Sequence, residues 1–173
     1  MHGDLHSGSI FINEQELKVL DPEFAFYGPM GYDIGNVIGN LFFAWANKAF
    51  TCPEQETVIN ALAQSIAEIW DKTGEKLALR YDELVTFPLY RTPAFRKAWL
   101  DSVMADSAGY AGTEIIRRTV GDSKVMELNS VTDLTLKLPM ERALIKLGIA
   151  LIKQRKSFRR GRDLTDLFRL ILA

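Results

Sequence analysis

The chain has 173 residues, 47% hydrophobic and 25% charged, which suffices for one domain with a real core and is ordinary for a globular protein. A formal net charge of −1 leaves no basic footprint for nucleic acid. One cysteine, Cys52, excludes an internal disulfide framework, and one Cys with two His cannot build a usual zinc site.

The chain opens on His2-Gly3-Asp4-Leu5-His6-Ser7-Gly8-Ser9. The apolar runs Ile10-Phe11-Ile12 and Leu17-Lys18-Val19-Leu20 flank Asn13-Glu14-Gln15-Glu16, which predicts a β-hairpin with a four-residue turn. Asp21-Pro22-Glu23-Phe24 follows directly. Folding the ribbon back on itself is expected to set Asp4 beside Asp21. Glu23 would face the same way as Asp21 if that segment is extended. Phosphoryl transfer needs a carboxylate near the attacking hydroxyl and further oxygen ligands for Mg²⁺ against the phosphates. Asp4 suits the first role, Asp21 and Glu23 the second, so the expectation is three acids at one magnesium–phosphate station. His6, two residues beyond Asp4, is placed to face a transferring phosphate. Taken singly, Asp4 and Asp21 are equally well read as turn residues at strand ends; the spacing of the whole set favours a site.

Helices follow. Ile34, Val37, Ile38, Leu41, Phe42 and Trp45 recur at three-and-four spacing, predicting a helix from about Ile34 to Phe50 with Asp33 as N-cap. Gly35 and Gly39, four apart, suit close helix packing. Nothing at the start resembles a secretory leader, and the apolar run Val37–Ala46 is too short to span a bilayer, so the cytoplasm is the expected compartment with no membrane partner. Pro53 at the first helical position predicts a second helix to about Lys72, ending near Gly74, with Val58, Leu62, Ile66, Ile69 and Trp70 inside. Residues 75–92 read as a helical turn and then a loop. The aromatics of Phe87–Tyr90 either anchor that loop to the core or line a pocket, with packing favoured.

Thr92-Pro93 is an N-cap and N1 pair opening a long helix to Arg118. Its middle, Ala105, Ala108, Gly109, Ala111 and Gly112, is small-sided and suits tight contact with another helix. Arg117 and Arg118 close it, where cations are favourable by about 0.3–1 kcal/mol for a purely local reason. Pro139 at N1 predicts a helix to about Lys156, and Asp163 caps a last one over Leu164–Leu172. The basic cluster Arg155–Arg162 reads as a helix-end feature rather than a nucleic-acid or membrane patch.

The pattern H-G-D-L-H-x-G-S followed by D-x-E resembles the catalytic and metal-binding loops of aminoglycoside-phosphotransferase-like kinases, which share the protein-kinase architecture. The runs Leu20–Gly35 and Glu114-Ile115-Ile116-Arg117-Arg118-Thr119-Val120-Gly121, with Ser9 where most relatives carry Asn, resemble the 5-methylthioribose kinase branch of that superfamily. The resemblance implies a mainly α fold with a small β-hairpin, the C-terminal lobe of such a kinase. Residues 1–173 would be a single domain, with catalytic and metal loops in 1–33 and a helical substrate-side part in 34–173. It implies ATP and Mg²⁺ as cofactors and ATP-dependent phosphorylation of 5-methylthioribose at its anomeric hydroxyl, a step of methionine salvage. Choline, homoserine or an aminoglycoside are the alternative substrates. Asp4, Arg117 and Arg118 are then catalytic, the arginines serving the sugar and the moving phosphoryl. His6 and Ser9 lie against the cofactor, Ser9 as the weaker partner, and Asp21 and Glu23 hold metal. Asp33 would bond the catalytic-loop backbone. The adenine-binding N-terminal lobe has no counterpart in these residues, so it is expected from elsewhere. The chain alone, a fragment on this reading, is expected to be inactive, and the complete kinase to form a homodimer. One departure is evident: Asp122-Ser123-Lys124-Val125 follows Gly121 where this branch is expected to carry a histidine-containing continuation.

Overall fold

One hairpin and six helices make up the chain, and the computed structural model describes residues 1–173. After a 3₁₀ turn at Ser7–Ser9, strands β1 (Ile10–Ile12) and β2 (Leu17–Val19) pair antiparallel with Ile10 opposite Val19 and Ile12 opposite Leu17. The four-residue turn is closed by Asn13, whose side-chain oxygen accepts from the amides of Gln15 and Glu16, both at 2.9 Å. That is the Asx-turn chemistry that makes Asn a turn residue.

The helices are α1 (Gly31–Thr51), α2 (Glu56–Leu84), α3 (Pro93–Val120), α4 (Met126–Asn129), α5 (Leu134–Lys153) and α6 (Gly161–Leu172). Their apolar stripes enclose one core. Phe42, Phe43 and Trp45 of α1 meet Ile66 and Trp70 of α2, Ile115 of α3, Leu128 of α4, Leu144, Leu147 and Leu151 of α5, and Phe168 of α6. The ring of Phe168 stands edge-on to Trp45 at 5.0 Å and to Phe42 at 5.4 Å, a geometry aromatic quadrupoles favour.

Helix α3 is the spine. On one side it runs alongside α1: a Cβ on Gly31 would meet Ser107 N at 2.6 Å, and one on Gly35 would meet Ala111 N and Ser107 O at 2.7 Å. On the other side it crosses α5 at Gly112 and Gly148, each lying against the other's carbonyl. The small-sided middle of α3 and Gly35 of α1 thus have the packing role expected of them. No helix is long and apolar enough to cross a membrane.

Several boundaries differ from expectation, each for a local reason. Helix α1 starts at Gly31, so Asp33 lies in its first turn rather than at the cap. Helix α2 begins at Glu56 and passes through Gly74 to Leu84. An interior glycine costs only about 1 kcal/mol, which the burial of Tyr81 beyond it offsets. Helix α5 starts at Leu134, capped by Asp133, whose carboxylate accepts from the amide of Thr135 at 2.8 Å. Pro139 therefore sits inside the helix, where it withholds one amide, while Met140, Leu144, Leu147 and Leu151 hold the helix to the core. Helix α6 begins at Gly161, and Asp163, in its first turn rather than just before it, caps the start by accepting from the amide of Arg160.

Candidate active site

The turn His2–Asp4 is held from three directions. The Asp33 carboxylate accepts from the amide of His2 at 2.6 Å and from that of Gly3 at 3.0 Å, so α1 grips the turn through its backbone. The imidazole of His2 donates from Nε2 to Leu20 O at 2.8 Å and accepts the Asp4 amide at Nδ1, joining the turn to the end of β2. Gly3 has φ +93, and a Cβ there would lie 2.1 Å from Phe24 O. Only glycine permits that conformation together with that approach, so the segment 22–24 rests directly on the turn.

Asp4, thus fixed, faces the end of α3. Its Oδ1 accepts from Arg118 Nη2 at 3.3 Å, a contact between residues 114 apart in sequence. Its Oδ2 lies 3.9 Å from His6 Nε2. His6 accepts the Gly8 amide at Nδ1, so a proton on the ring is carried at Nε2, the nitrogen facing Asp4 and, at 3.3 Å, Ser9 Oγ. Ser9 is buried, and its carbonyl accepts from Leu20 N at 2.9 Å. Its hydroxyl braces the loop from beneath.

Helical side chains lean toward the N-terminus, so Arg117 and Arg118 reach back over the turn they follow. There they meet Glu114, whose side chain is 3% exposed. Glu114 Oε1 accepts from Arg118 Nε at 2.9 Å, and Oε2 accepts from Arg117 Nε. Arg118 also donates from Nη1 to Ser123 O at 3.2 Å. The segment that departs from the expected sequence is thus used through its backbone, which does not depend on the side chain there. Glu114 is the residue of this cluster to which the motif alone assigns no role. The acid placed three and four residues before two arginines is the signal that identifies it.

Asp21 and Glu23 are solvent-exposed, and Asp21 has φ +66, a left-handed conformation uncommon for a residue with a Cβ. No three His, Cys, Asp or Glu side chains gather where they could hold a metal ion. The carboxylates of Asp4, Asp21 and Glu23 therefore do not close on one ion by themselves. The ribbon pairs as expected, Asp4 Oδ1 accepts from Arg118, and Asp21 follows β2 in the left-handed conformation. Two exposed carboxylates still fit Mg²⁺, a hard cation usually held by one or two carboxylates together with substrate phosphates rather than by an all-protein cage.

The aromatics of the loop after α2 lie elsewhere. Tyr90 borders an apolar groove of about 410 Å³ with Met30, Tyr81, Phe95 and Trp99. Trp99 and Arg118 are 19 residues apart on one helix, roughly 28 Å at 1.5 Å per residue.

Residues 1–75 match the model of the phosphotransferase enzyme family. The chain is 36% identical over 166 residues to the methylthioribose kinase of Exiguobacterium sibiricum, covering 96% of this chain and 41% of that protein. It is likewise 36% identical to the methylthioribose kinase of Erwinia tasmaniensis over 154 residues, 88% of this chain and 39% of the relative. The methylthioribose kinase of a Geobacillus species is 36% identical over 168 residues, 97% and 40%. The chain spans about two-fifths of the length of the curated relatives it matches.

Proposed function

We propose, from the match of residues 1–75 to the phosphotransferase enzyme family, that this chain is the catalytic-loop lobe of an ATP-dependent kinase that phosphorylates 5-methylthioribose. Within it, residues 1–33 carry the catalytic and metal loops, and residues 34–173 form the substrate side of the same domain. The observation that carries the reading is the Asp4–Arg118 contact, which joins the first motif of the chain to the paired arginines.

Asp4 would take the proton of the sugar's anomeric hydroxyl as that oxygen bonds to the γ-phosphorus of ATP and the phosphorus–oxygen bond to the departing ADP breaks. Arg118 holds the Asp4 carboxylate in place, and Asp33 holds the backbone on which Asp4 sits. Arg117 neutralises charge on the transferring group, a role suited to a planar fork of donors. His6 presents its Nε2 side beside Asp4, and Ser9 supports His6. Asp21 and Glu23 would hold Mg²⁺, which would screen the charge on the oxygens of ATP, the phosphoryl donor. The thiosugar is preferred to choline, homoserine or an aminoglycoside because the relatives matching most of this chain are named methylthioribose kinases.

The test is transfer from ATP to each of these four acceptors, measured with this chain alone and with the remaining part of a related methylthioribose kinase supplied. Transfer to 5-methylthioribose is expected only in the completed protein, since positioning supplies most of the rate in this chemistry. Asp4→Asn is expected to lower kcat by at least about 10²-fold. Near-normal turnover of that variant, or preference for another acceptor, overturns the reading.

A further inference from the structure

Four charged side chains meet at the end of α3: Asp4, Glu114, Arg117 and Arg118. Of these Glu114 is the most deeply buried, at 3% exposure against 18% for Arg118, 31% for Asp4 and 49% for Arg117. It binds both guanidiniums by the same atom, Nε, one on each carboxylate oxygen. Gly39 of α1 packs beside its stem: a Cβ there would lie 3.4 Å from Glu114 Cγ. The two arginines nevertheless end differently. Arg118 spends its terminal nitrogens on Asp4 and Ser123 O. Arg117 donates only through Nε, and both its terminal nitrogens are without a partner on an exposed side chain.

We propose that Glu114 is a positioning residue that divides the arginine pair into two tasks: Arg118 is committed to orienting Asp4, and Arg117 presents an open, pre-aimed fork to a phosphoryl oxygen. This rests on the reading of the site as a phosphoryl-transfer station and deepens it. A guanidinium held at Nε can still rotate little about its long stem, so both terminal N–H groups face one direction before any ligand arrives. An unanchored arginine would have to be ordered on binding, at a cost in rotamer entropy.

Electrostatics alone predicts the opposite effect of removing Glu114, which makes the proposal testable. Taking away a buried negative charge raises the positive potential at Arg117 and should tighten anion binding. Loss of orientation should weaken it. The experiment titrates the chain with inorganic phosphate and follows the ¹⁵N-labelled arginine Nε–H signals. In the wild type, two Nε–H groups are expected to exchange slowly with solvent before phosphate is added, and phosphate is expected to move the Arg117 signal. In Glu114→Gln, an isosteric change, phosphate affinity is expected to fall about tenfold and the slow exchange of at least one Nε–H to be lost.

Unchanged or tighter phosphate binding in Glu114→Gln overturns the positioning role while leaving the site reading intact. A wild-type chain that takes no phosphate, yet keeps both Nε–H groups protected, overturns the phosphoryl-station reading and the assigned task of Arg117 with it. Fast Nε–H exchange in the wild type overturns the grip itself. Should Glu114→Gln fail to fold, Arg117→Lys decides at an exposed position: it keeps the charge without the fork, and affinity is again expected to fall about tenfold. Wild-type affinity in that variant overturns the proposal.

Discussion

Asp33 shows how a single carboxylate can organise a loop. It accepts two successive backbone amides, of His2 and Gly3, from within the first turn of α1. Hydrogen bonds to an ionised acceptor contribute more than neutral ones, about 1.5–3 kcal/mol each. Asp33→Ala is therefore expected to destabilise the chain by roughly 2 kcal/mol and to raise amide exchange at His2 and Gly3 at least tenfold, while α1 stays helical by circular dichroism. Protection unchanged at those two amides would remove Asp33 from the account of how Asp4 is held. The sequence made Asp33 legible as an acid at a helix start, and its resemblance to a kinase loop pointed to the backbone it holds. What the pattern did not reveal was that these are one function. The residue sits inside the helix so that its carboxylate is free to leave the helix and hold the turn.

Among the elements, α6 shows how a boundary depends on a side chain further along. The Asp163 carboxylate accepts from the amides of Arg159 at 2.8 Å and Arg160 at 3.0 Å, and Asp71 accepts from Gly161 N at 2.8 Å. Partial burial works to raise the Asp163 pKa. The two amides and the guanidiniums of Arg160 and Arg162 outweigh it and hold the carboxyl below its ordinary value. A carboxyl with a depressed folded pKa contributes stability above its ordinary value, near 3.8, and loses it as pH falls through the lower folded one. Exchange at the Arg159 and Arg160 amides is therefore expected to accelerate as pH drops below about 4, beyond the intrinsic trend. Asp163→Asn should remove that pH dependence; a variant that retains it would assign the effect to another group. Periodicity located α6, α3 and α1 because their apolar residues recur every three to four positions. It misjudged where α2 and α5 begin and end, because Gly74 and Pro139 are local breakers that act weakly against a buried face.

At the level of the molecule, the core covers the helices and leaves the hairpin bare. Phe11, Ile12, Leu17, Val19 and Leu20 are all exposed, as are Phe24, Tyr27 and Met30 beyond them. A contiguous apolar patch of that kind is a site of association, and a two-stranded ribbon has unpaired edges as well. The chain is expected to self-associate at micromolar concentration. The double variant Ile12→Glu, Leu17→Lys, which places opposite charges on directly paired residues, should reduce that association in sedimentation velocity without lowering the helical signal. Association that persists unchanged would move the sticky surface away from the hairpin.

The sequence by itself determined the hairpin and its register, every helix but the short α4, the small-sided seam of α3, and the residue kinds that phosphoryl chemistry requires. These follow from local rules: period two or three-and-a-half, caps, turn residues, and the chemistry of particular side chains. Only the tertiary structure decided which acids meet. Asp4 pairs with Arg118 across 114 residues, and Asp21 takes a left-handed φ. The direction of a side chain at a loop is set by one φ angle and by what packs behind it, and neither is written in the spacing of residues.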